Sequence, residues 1–117
     1  MIKIEIADEP PNKQTDANKR TTEQYHNELI RISKEQLNSK LVTGPISVEI
    51  SIYTNESRLR RVGYDNTYLG DLDNLVSGIV DELKGTIIVD DSQLMEIKAK
   101  INVIEESETR FSVIIRW

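Results

Sequence analysis

The sequence contains no cysteine, which excludes a disulfide framework and any metal site built on thiolates. It contains one histidine, His26, to which we assign no catalytic role because a lone histidine within a helix is usually a surface or packing residue. No apolar run approaches the roughly 20 residues that a membrane-spanning helix needs. The N-terminal MIKIEIADE also lacks the basic-then-apolar order of a signal peptide. We therefore expect a cytoplasmic protein without a membrane partner.

The chain also lacks an excess of positive charge, with a net charge of −5 and a pI near 4.9. Lysine and arginine contacts to phosphate supply most nonspecific affinity for DNA, so this total argues against a nucleic acid ligand. The distribution of charge matters more than its sum, because salt screens charges more than about 10 Å apart. Arg58, Arg60 and Arg61 cluster in one long loop, and Lys13 lies in an earlier one.

The periodicity of apolar residues predicts one α+β domain over residues 1–117. At 38% hydrophobic and 30% charged residues, the composition is typical of a folded globular domain. Strict alternation predicts strands at 2–6, 46–53, 95–103 and 111–117. Apolar residues three and four apart predict helices at 21–40 and 74–84, and the short apolar run 87–89 predicts a further strand. The predicted order is β-α-β-loop-α-β-β-β, a mixed sheet with two helices packed on one face.

Two acidic clusters fall at the boundaries of predicted elements. Asp71 and Asp73 open the second helix, and Asp90 and Asp91 follow the apolar run after it. A β-α-β passage can bring the start of its helix close to the end of a neighbouring strand, so we expect Asp71, Asp73 and Asp91 to converge. Carboxylates packed closely repel one another unless a cation is present. Mg²⁺ prefers such oxygen ligands, and Mn²⁺ is an alternative.

Each cluster taken alone also has a structural explanation. An aspartate before an apolar helix is commonly an N-cap, and a pair of aspartates after a strand is commonly part of a turn. A bare DxD also occurs in nucleotidyl- and glycosyltransferases, although this chain has no glycine-rich loop to hold a nucleotide. Both clusters together, with a helix and an apolar run between them, are more specific than either alone.

The combination resembles the signature of the RusA family. Residues 70–75 read GDLDNL, similar to the family's DxDN motif at the start of a helix, and residues 87–96 read IIVDDSQLME, similar to its apolar strand ending in DDSQ. The PPNK at 10–13 is similar to an early PPSxN-like segment of the family. The resemblance implies a homodimeric endonuclease that binds four-way DNA junctions and nicks opposed strands. It also implies a role in DNA recombination or repair, for example within a prophage.

The resemblance also implies roles for single residues. It assigns catalysis and metal binding to Asp71, Asp73 and Asp91, with Asp90 as a neighbouring metal ligand. It assigns phosphate contacts to the basic segment just before the DxDN motif, and the lysine of the early loop and those of the strand after Asp91 are further candidates from their positions in the sequence. The predicted DNA-binding residues are Arg58, Arg60, Arg61, Lys13, Lys98 and Lys100, and Tyr64 and Tyr68 are candidates for stacking on unpaired bases.

One position departs from the family pattern. Ser77 stands where the family usually has a lysine, four residues after the second aspartate of DxDN. A serine cannot stabilise negative charge on a phosphate as a lysine does. Lys98 or Lys100 is a candidate to supply the missing cation. Two functions therefore stay open: an active Mg²⁺-dependent nuclease, favoured by the retained aspartates, and a catalytically impaired protein that binds branched DNA, favoured by Ser77 and the negative net charge.

Overall fold

Alternating apolar residues bury one face of a mixed β-sheet, as the sequence predicts. The computed structural model describes residues 1–11, 19–59 and 69–117, which form four strands and two α-helices. The strands are β1 (Ile2–Ile6), β2 (Ile46–Thr54), β3 (Leu94–Val103) and β4 (Arg110–Arg116). The helices are α1 (Lys19–Leu37) and α2 (Leu72–Asp81). The predicted α+β class is confirmed. No helix in these ranges is long and apolar enough to cross a membrane.

The strand order β1-β4-β2-β3 determines where the ends of the elements lie. Strand β4 is antiparallel to both of its neighbours, whereas β2 and β3 are parallel and are joined through α2. In such a β-α-β unit the helix runs back against the strands, from the end of the first to the beginning of the second. Helix α2 therefore begins towards the end of β2 and finishes beside the beginning of β3.

The two helices pack on one face of the sheet around Tyr25. Its hydroxyl donates a hydrogen bond to the carbonyl of Ile79 in α2, at 3.2 Å, and its ring meets Phe111 of β4 edge-on at 5.6 Å. The core around it consists of apolar side chains from both helices and the sheet, including Leu29, Ile32, Leu75, Ile4, Val48, Ile50 and Val113. Tyr25 thus ties α1, α2 and the sheet together.

The predicted strand at 87–89 is absent, and this is a correction to the predicted element order. After α2 ends, the chain folds into a tight turn in which the Ile88 N–H bonds to the Leu83 carbonyl, at 3.0 Å. Gly85 adopts a φ of 82°, a conformation that glycine enters without steric cost. Ile87 and Ile88 are fully buried. Periodicity cannot distinguish a buried turn from a buried strand in so short an apolar run.

Two further residues are placed by the fold. The Nδ1 of His26 lies 3.0 Å from Oε2 of Glu82, so this histidine links α1 to the residue after α2. The alternation of the last strand predicts that Trp117 lies inward with Phe111, Val113 and Ile115, in the core or in a dimer interface. It is 53% exposed, because β4 and its pairing end at Arg116.

Candidate active site

Asp71 and Asp73 lie at the N-terminal end of α2. Asp71 occupies the N-cap position, and its carbonyl accepts the backbone N–H groups of Asn74 and Leu75, each at 3.1 Å. Its carboxylate makes no capping hydrogen bond. Asp73 is in the first helical turn, and both side chains are exposed. The partial positive charge at a helix N-terminus stabilises carboxylates at these positions. The start of α2 thus presents two exposed carboxylates.

Asp90 has the structural role that an aspartate pair often has. It caps a single 3-10 turn, Asp91–Gln93, and its Oδ2 accepts the Ser92 backbone N–H at 3.1 Å. Hydrogen bonds from Ser92 hold the pKa of the Asp90 carboxyl below its usual value, with a smaller contribution from the charge of Lys84. The capping bond competes with metal coordination by the same carboxylate, whereas the adjacent Asp91 is not the cap.

Gln93 fixes the segment that carries both aspartates. Its Oε1 accepts the backbone N–H groups of Val89 and Asp90, at 2.8 and 3.0 Å. Its Nε2 donates to the carbonyls of Val42 and Gly44, at 2.7 and 2.9 Å. One amide side chain therefore joins the DDSQ segment to the chain that enters β2. This gives the glutamine of the motif a physical role that the sequence did not reveal.

Asp91 lies beside the far end of α2. Its Oδ2 is 3.8 Å from the Nζ of Lys84, which is also 3.7 Å from Oδ1 of Asp81, the last residue of the helix. The Asp91 side chain is 55% exposed, and that of Lys84 is 37% exposed. Asp91 thus presents an accessible carboxylate with a positive charge next to it.

The predicted convergence of Asp71, Asp73 and Asp91 is not seen within one chain. Helix α2 has 10 residues, and at 1.5 Å per residue about 15 Å separates its two ends. Asp71 and Asp73 stand at the first end, and Asp91 at the last. Within residues 1–11, 19–59 and 69–117, no group of three carboxylate or imidazole side chains is placed to hold a metal ion. The prediction relied on a strand at 87–89, and the turn found there keeps Asp91 at the end where α2 finishes.

The chain was compared with known protein families and with curated proteins. The family described as Endodeoxyribonuclease RusA matches residues 10–116, nearly the entire sequence and both acidic clusters. The chain belongs to the RusA family. No individual curated protein matches it. Membership of an endodeoxyribonuclease family supports a nuclease function in general.

The predicted DNA-binding residues of this RusA-family chain are placed only in part. Arg58 forms an ion pair with Glu9 and is part-buried, an arrangement that competes with a phosphate contact. Lys98 is exposed on β3, with its Nζ 3.8 Å from Oε1 of Glu96, and Lys100 is exposed two residues further on. Lys13, Arg60, Arg61, Tyr64 and Tyr68 lie outside the described residues. DNA binding by all of these stays a prediction.

Lys84 is the residue that the sequence did not single out. Lys98 and Lys100 are candidates to replace the lysine missing at Ser77, but they pair in register with Glu49 and Ser51 of β2, on the face of the sheet opposite the helices. The ammonium group of Lys84 lies within 4 Å of a motif carboxylate. The available signal was a lysine just before a glycine that ends a helix, a pattern too common to indicate function.

Proposed function

We propose that this RusA-family chain is an endodeoxyribonuclease that recognises branched DNA and nicks four-way junctions in a Mg²⁺-dependent reaction, with Mn²⁺ as an alternative metal. The observation that carries the proposal is that Asp71, Asp73 and Asp91 present exposed side chains at the boundaries of elements, within a family match that spans nearly the whole chain. The family supports endonuclease activity on Holliday junctions. The metal dependence and the individual residue roles are our proposal.

The chemistry of the carboxylates fits a hard divalent cation. Asp71 and Asp73 offer oxygen ligands two residues apart on a rigid helix start, and Asp91 offers a third. One chain holds these ligands in two separate sets, so a single copy does not supply all three to one ion. A bound cation would lower the pKa of a water molecule and stabilise negative charge that develops on the scissile phosphate.

The residues near these carboxylates have separate tasks in the proposed site. Asp90 and Gln93 hold the backbone of the segment, because their side chains are hydrogen-bonded to backbone groups. Lys84 places positive charge beside Asp91, and a phosphate approaching that end would meet a cation despite the serine at position 77. We also propose a homodimer, since two active sites related by a two-fold axis suit a junction in which two strands are cut.

The test is cleavage of a labelled four-way junction beside a linear duplex of the same sequence, with Mg²⁺, with Mn²⁺ and with EDTA. We expect paired nicks in the junction alone, in the presence of either metal. Asp73→Asn should abolish them, whereas Glu106→Gln, in the exposed segment between β3 and β4, should leave them unchanged. Tight junction binding without cleavage in either metal would contradict the nuclease and indicate the catalytically impaired alternative.

The basic residues are tested by the salt dependence of junction binding. Removing one side chain that binds a phosphate should make the slope of log K against log salt shallower by about 0.9. We expect Arg61→Ala and Lys100→Ala each to make the slope shallower, with Lys34→Ala on the exposed side of α1 as the control. An unchanged slope in either variant would remove that residue from the proposed DNA interface.

A further inference from the structure

The sheet has a second face, which the helices leave uncovered. On β2, the polar residues from Ser47 to Tyr53 alternate with buried apolar residues of the core, so their side chains point away from α1 and α2. The strand register brings polar residues of the other three strands onto the same side. We call the surface formed by these β2 residues and their register partners the open face.

The cations of the open face fall into two groups. The first group is paired with carboxylates of the same face: Lys3 with Glu5 at 3.3 Å, Lys98 with Glu96 at 3.8 Å and Arg116 with Glu49 at 3.3 Å. Lys100 of β3 and Arg110 of β4 are also exposed, and within residues 1–11, 19–59 and 69–117 neither of them forms an ion pair. The positive charge that carboxylates leave uncompensated is therefore concentrated at Lys100 and Arg110.

The register sets these two cations around Tyr53. Arg110 pairs with Tyr53 itself, and Lys100 pairs with Ser51, two residues earlier on β2. The guanidinium carbon of Arg110 lies 4.2 Å from the centre of the half-buried Tyr53 ring. A recess of about 580 Å³ lies over this region, and Ser51, Tyr53, Arg110 and Ser112 contribute to its lining. The carboxylates that also line the recess belong to the ion pairs described above.

We propose that this part of the open face binds single-stranded DNA, with Tyr53 and Arg110 stacking on a base and Lys100 contacting a backbone phosphate. Aromatic rings and guanidinium planes bind single strands because every unpaired base offers a flat face for stacking. A base within a duplex has both faces covered by its neighbours, so such a surface selects unpaired nucleotides. The chain belongs to an endodeoxyribonuclease family, and this favours DNA over RNA as the bound strand.

The proposed surface is separate from the motif carboxylates. It lies on the side of the sheet opposite α2, the helix that begins next to Asp71 and includes Asp73. Binding there requires no metal ion, so the proposal goes beyond the nuclease function. It also places Lys100, a predicted phosphate contact, beside groups that recognise a base.

Stacking is tested by the binding of a fluorescently labelled oligothymidylate of about 12 nucleotides in EDTA, measured by anisotropy beside a duplex and an oligouridylate of the same length. We expect Tyr53→Ala to weaken binding of the single strand by about 5- to 150-fold, the range that corresponds to one stacked base. Its binding of the duplex should stay within about twofold of wild type. Tyr53→Phe retains the ring and should bind like wild type. Equal losses on the single strand and the duplex, or tighter binding of the oligouridylate, would overturn the proposal.

The two cations are tested by variants that separate charge from shape. Arg110→Lys keeps the positive charge and removes the planar guanidinium, so it should weaken binding of the single strand several-fold without changing the salt slope. Lys100→Ala should make the slope of log K against log salt shallower by about 0.7, the value for one phosphate contact to a single strand. Lys34→Ala, on the exposed side of α1, is the matched control and should change neither quantity. Wild-type affinity in Arg110→Lys together with an unchanged slope in Lys100→Ala would exclude the site.

Photocrosslinking locates the bound base without any substitution in the protein. A base that stacks on Tyr53 is in van der Waals contact with its ring, so an oligonucleotide with 5-iodouracil in place of thymine should form a crosslink there on irradiation. Mass spectrometry of the digested protein identifies the linked peptide. Crosslinks confined to Tyr64 or Tyr68, the stacking candidates from the sequence, would contradict binding on the open face.

The outcomes for this site and for the nuclease are distinguishable. Asp73→Asn should bind the oligothymidylate as tightly as wild type, because its carboxylate lies away from the open face. If the protein fails to cut junctions but binds single strands in a manner that depends on Tyr53, the nuclease proposal fails and the open-face site stands. If it cuts junctions and Tyr53→Ala binds single strands like wild type, the open-face site is wrong and the nuclease proposal stands.

Discussion

The Nζ of Lys84 lies 3.8 Å from Oδ2 of Asp91, at the end of α2 opposite Asp71. This contact joins a motif aspartate to a cation that no motif of the sequence includes. It also gives the protein a positive charge near its acidic residues although Ser77 provides none. The contact depends on the tight turn after α2, which returns the chain towards the end of the helix.

We expect Lys84→Gln to lower the rate of junction nicking by about 10²-fold, because loss of one group that stabilises negative charge in a transition state typically has an effect of this size. The free energy of unfolding should change by less than about 1 kcal/mol, since exposed ion pairs contribute little to stability. Single-turnover cleavage and urea denaturation measure the two effects. Lys40→Gln, an exposed lysine in the segment after α1, is the control. A nicking rate within twofold of wild type would exclude Lys84 from the site.

Gln93→Glu keeps the shape of a side chain that makes four hydrogen bonds to backbone groups. A carboxylate can still accept from Val89 and Asp90, but it cannot donate to the carbonyls of Val42 and Gly44. We expect a loss of about 1–3 kcal/mol of unfolding free energy, the usual cost of leaving such acceptors unsatisfied. We also expect weaker Mn²⁺ binding, because the backbone that carries Asp91 is no longer fixed. Full stability in urea denaturation would contradict this role.

Asp90→Asn should distinguish the aspartate that caps the 3-10 turn from Asp91, to which we assign a catalytic role. The variant should retain junction cleavage, whereas Asp91→Asn should lose it. Because the folded-state pKa of Asp90 lies below its ordinary value of 3.8, its charged form stabilises the folded protein at higher pH. That stabilisation is present above pH 3.8 and is lost as the pH falls through the folded-state pKa. The difference in thermal stability between wild type and Asp90→Asn should therefore shrink on acidification, and a difference that grew instead would contradict the assignment.

Tyr25→Phe should change how stability depends on alkaline pH. Burial raises the pKa of the Tyr25 hydroxyl far above its ordinary value of 10.0, and the nearby charge of Glu82 adds to the rise. Above pH 10 the unfolded chain releases this proton and the folded chain does not, so stability falls as the pH rises. We expect the wild type to lose about 1.4 kcal/mol per pH unit more than Tyr25→Phe above pH 10. Chemical denaturation at pH 9, 10 and 11 measures the difference, and equal slopes would contradict it.

At neutral pH the same substitution removes the hydrogen bond from Tyr25 to the Ile79 carbonyl. We expect Tyr25→Phe to be less stable than wild type by about 0.5–1.5 kcal/mol under these conditions, the usual net contribution of one hydrogen bond. Leu29→Met is a suitable control, because it changes a neighbouring buried side chain of α1 without removing a polar group.

The strands that alternate strictly were predicted almost to the residue. Ile46, Val48, Ile50 and Ile52 are buried along β2, since each strand position faces one side of a sheet whatever its neighbours are. On β3 the same alternation predicts the face of Ile97 and Val103 but not their burial. Burial depends on the position of a strand in the sheet order, and β3 is an edge of the described sheet.

Sequence alone determined the composition of the core, the α+β class and the resemblance to RusA, because periodicity and short motifs are local properties of the chain. The placement of the acidic residues was decided only by the tertiary structure. A turn replaces the expected strand at 87–89, and the parallel crossover from β2 to β3 keeps Asp71 and Asp91 at opposite ends of α2. The sequence likewise does not distinguish the roles of the adjacent Asp90 and Asp91. Asp90 caps a turn and Asp91 meets Lys84 because their different contacts come from the folded backbone around them.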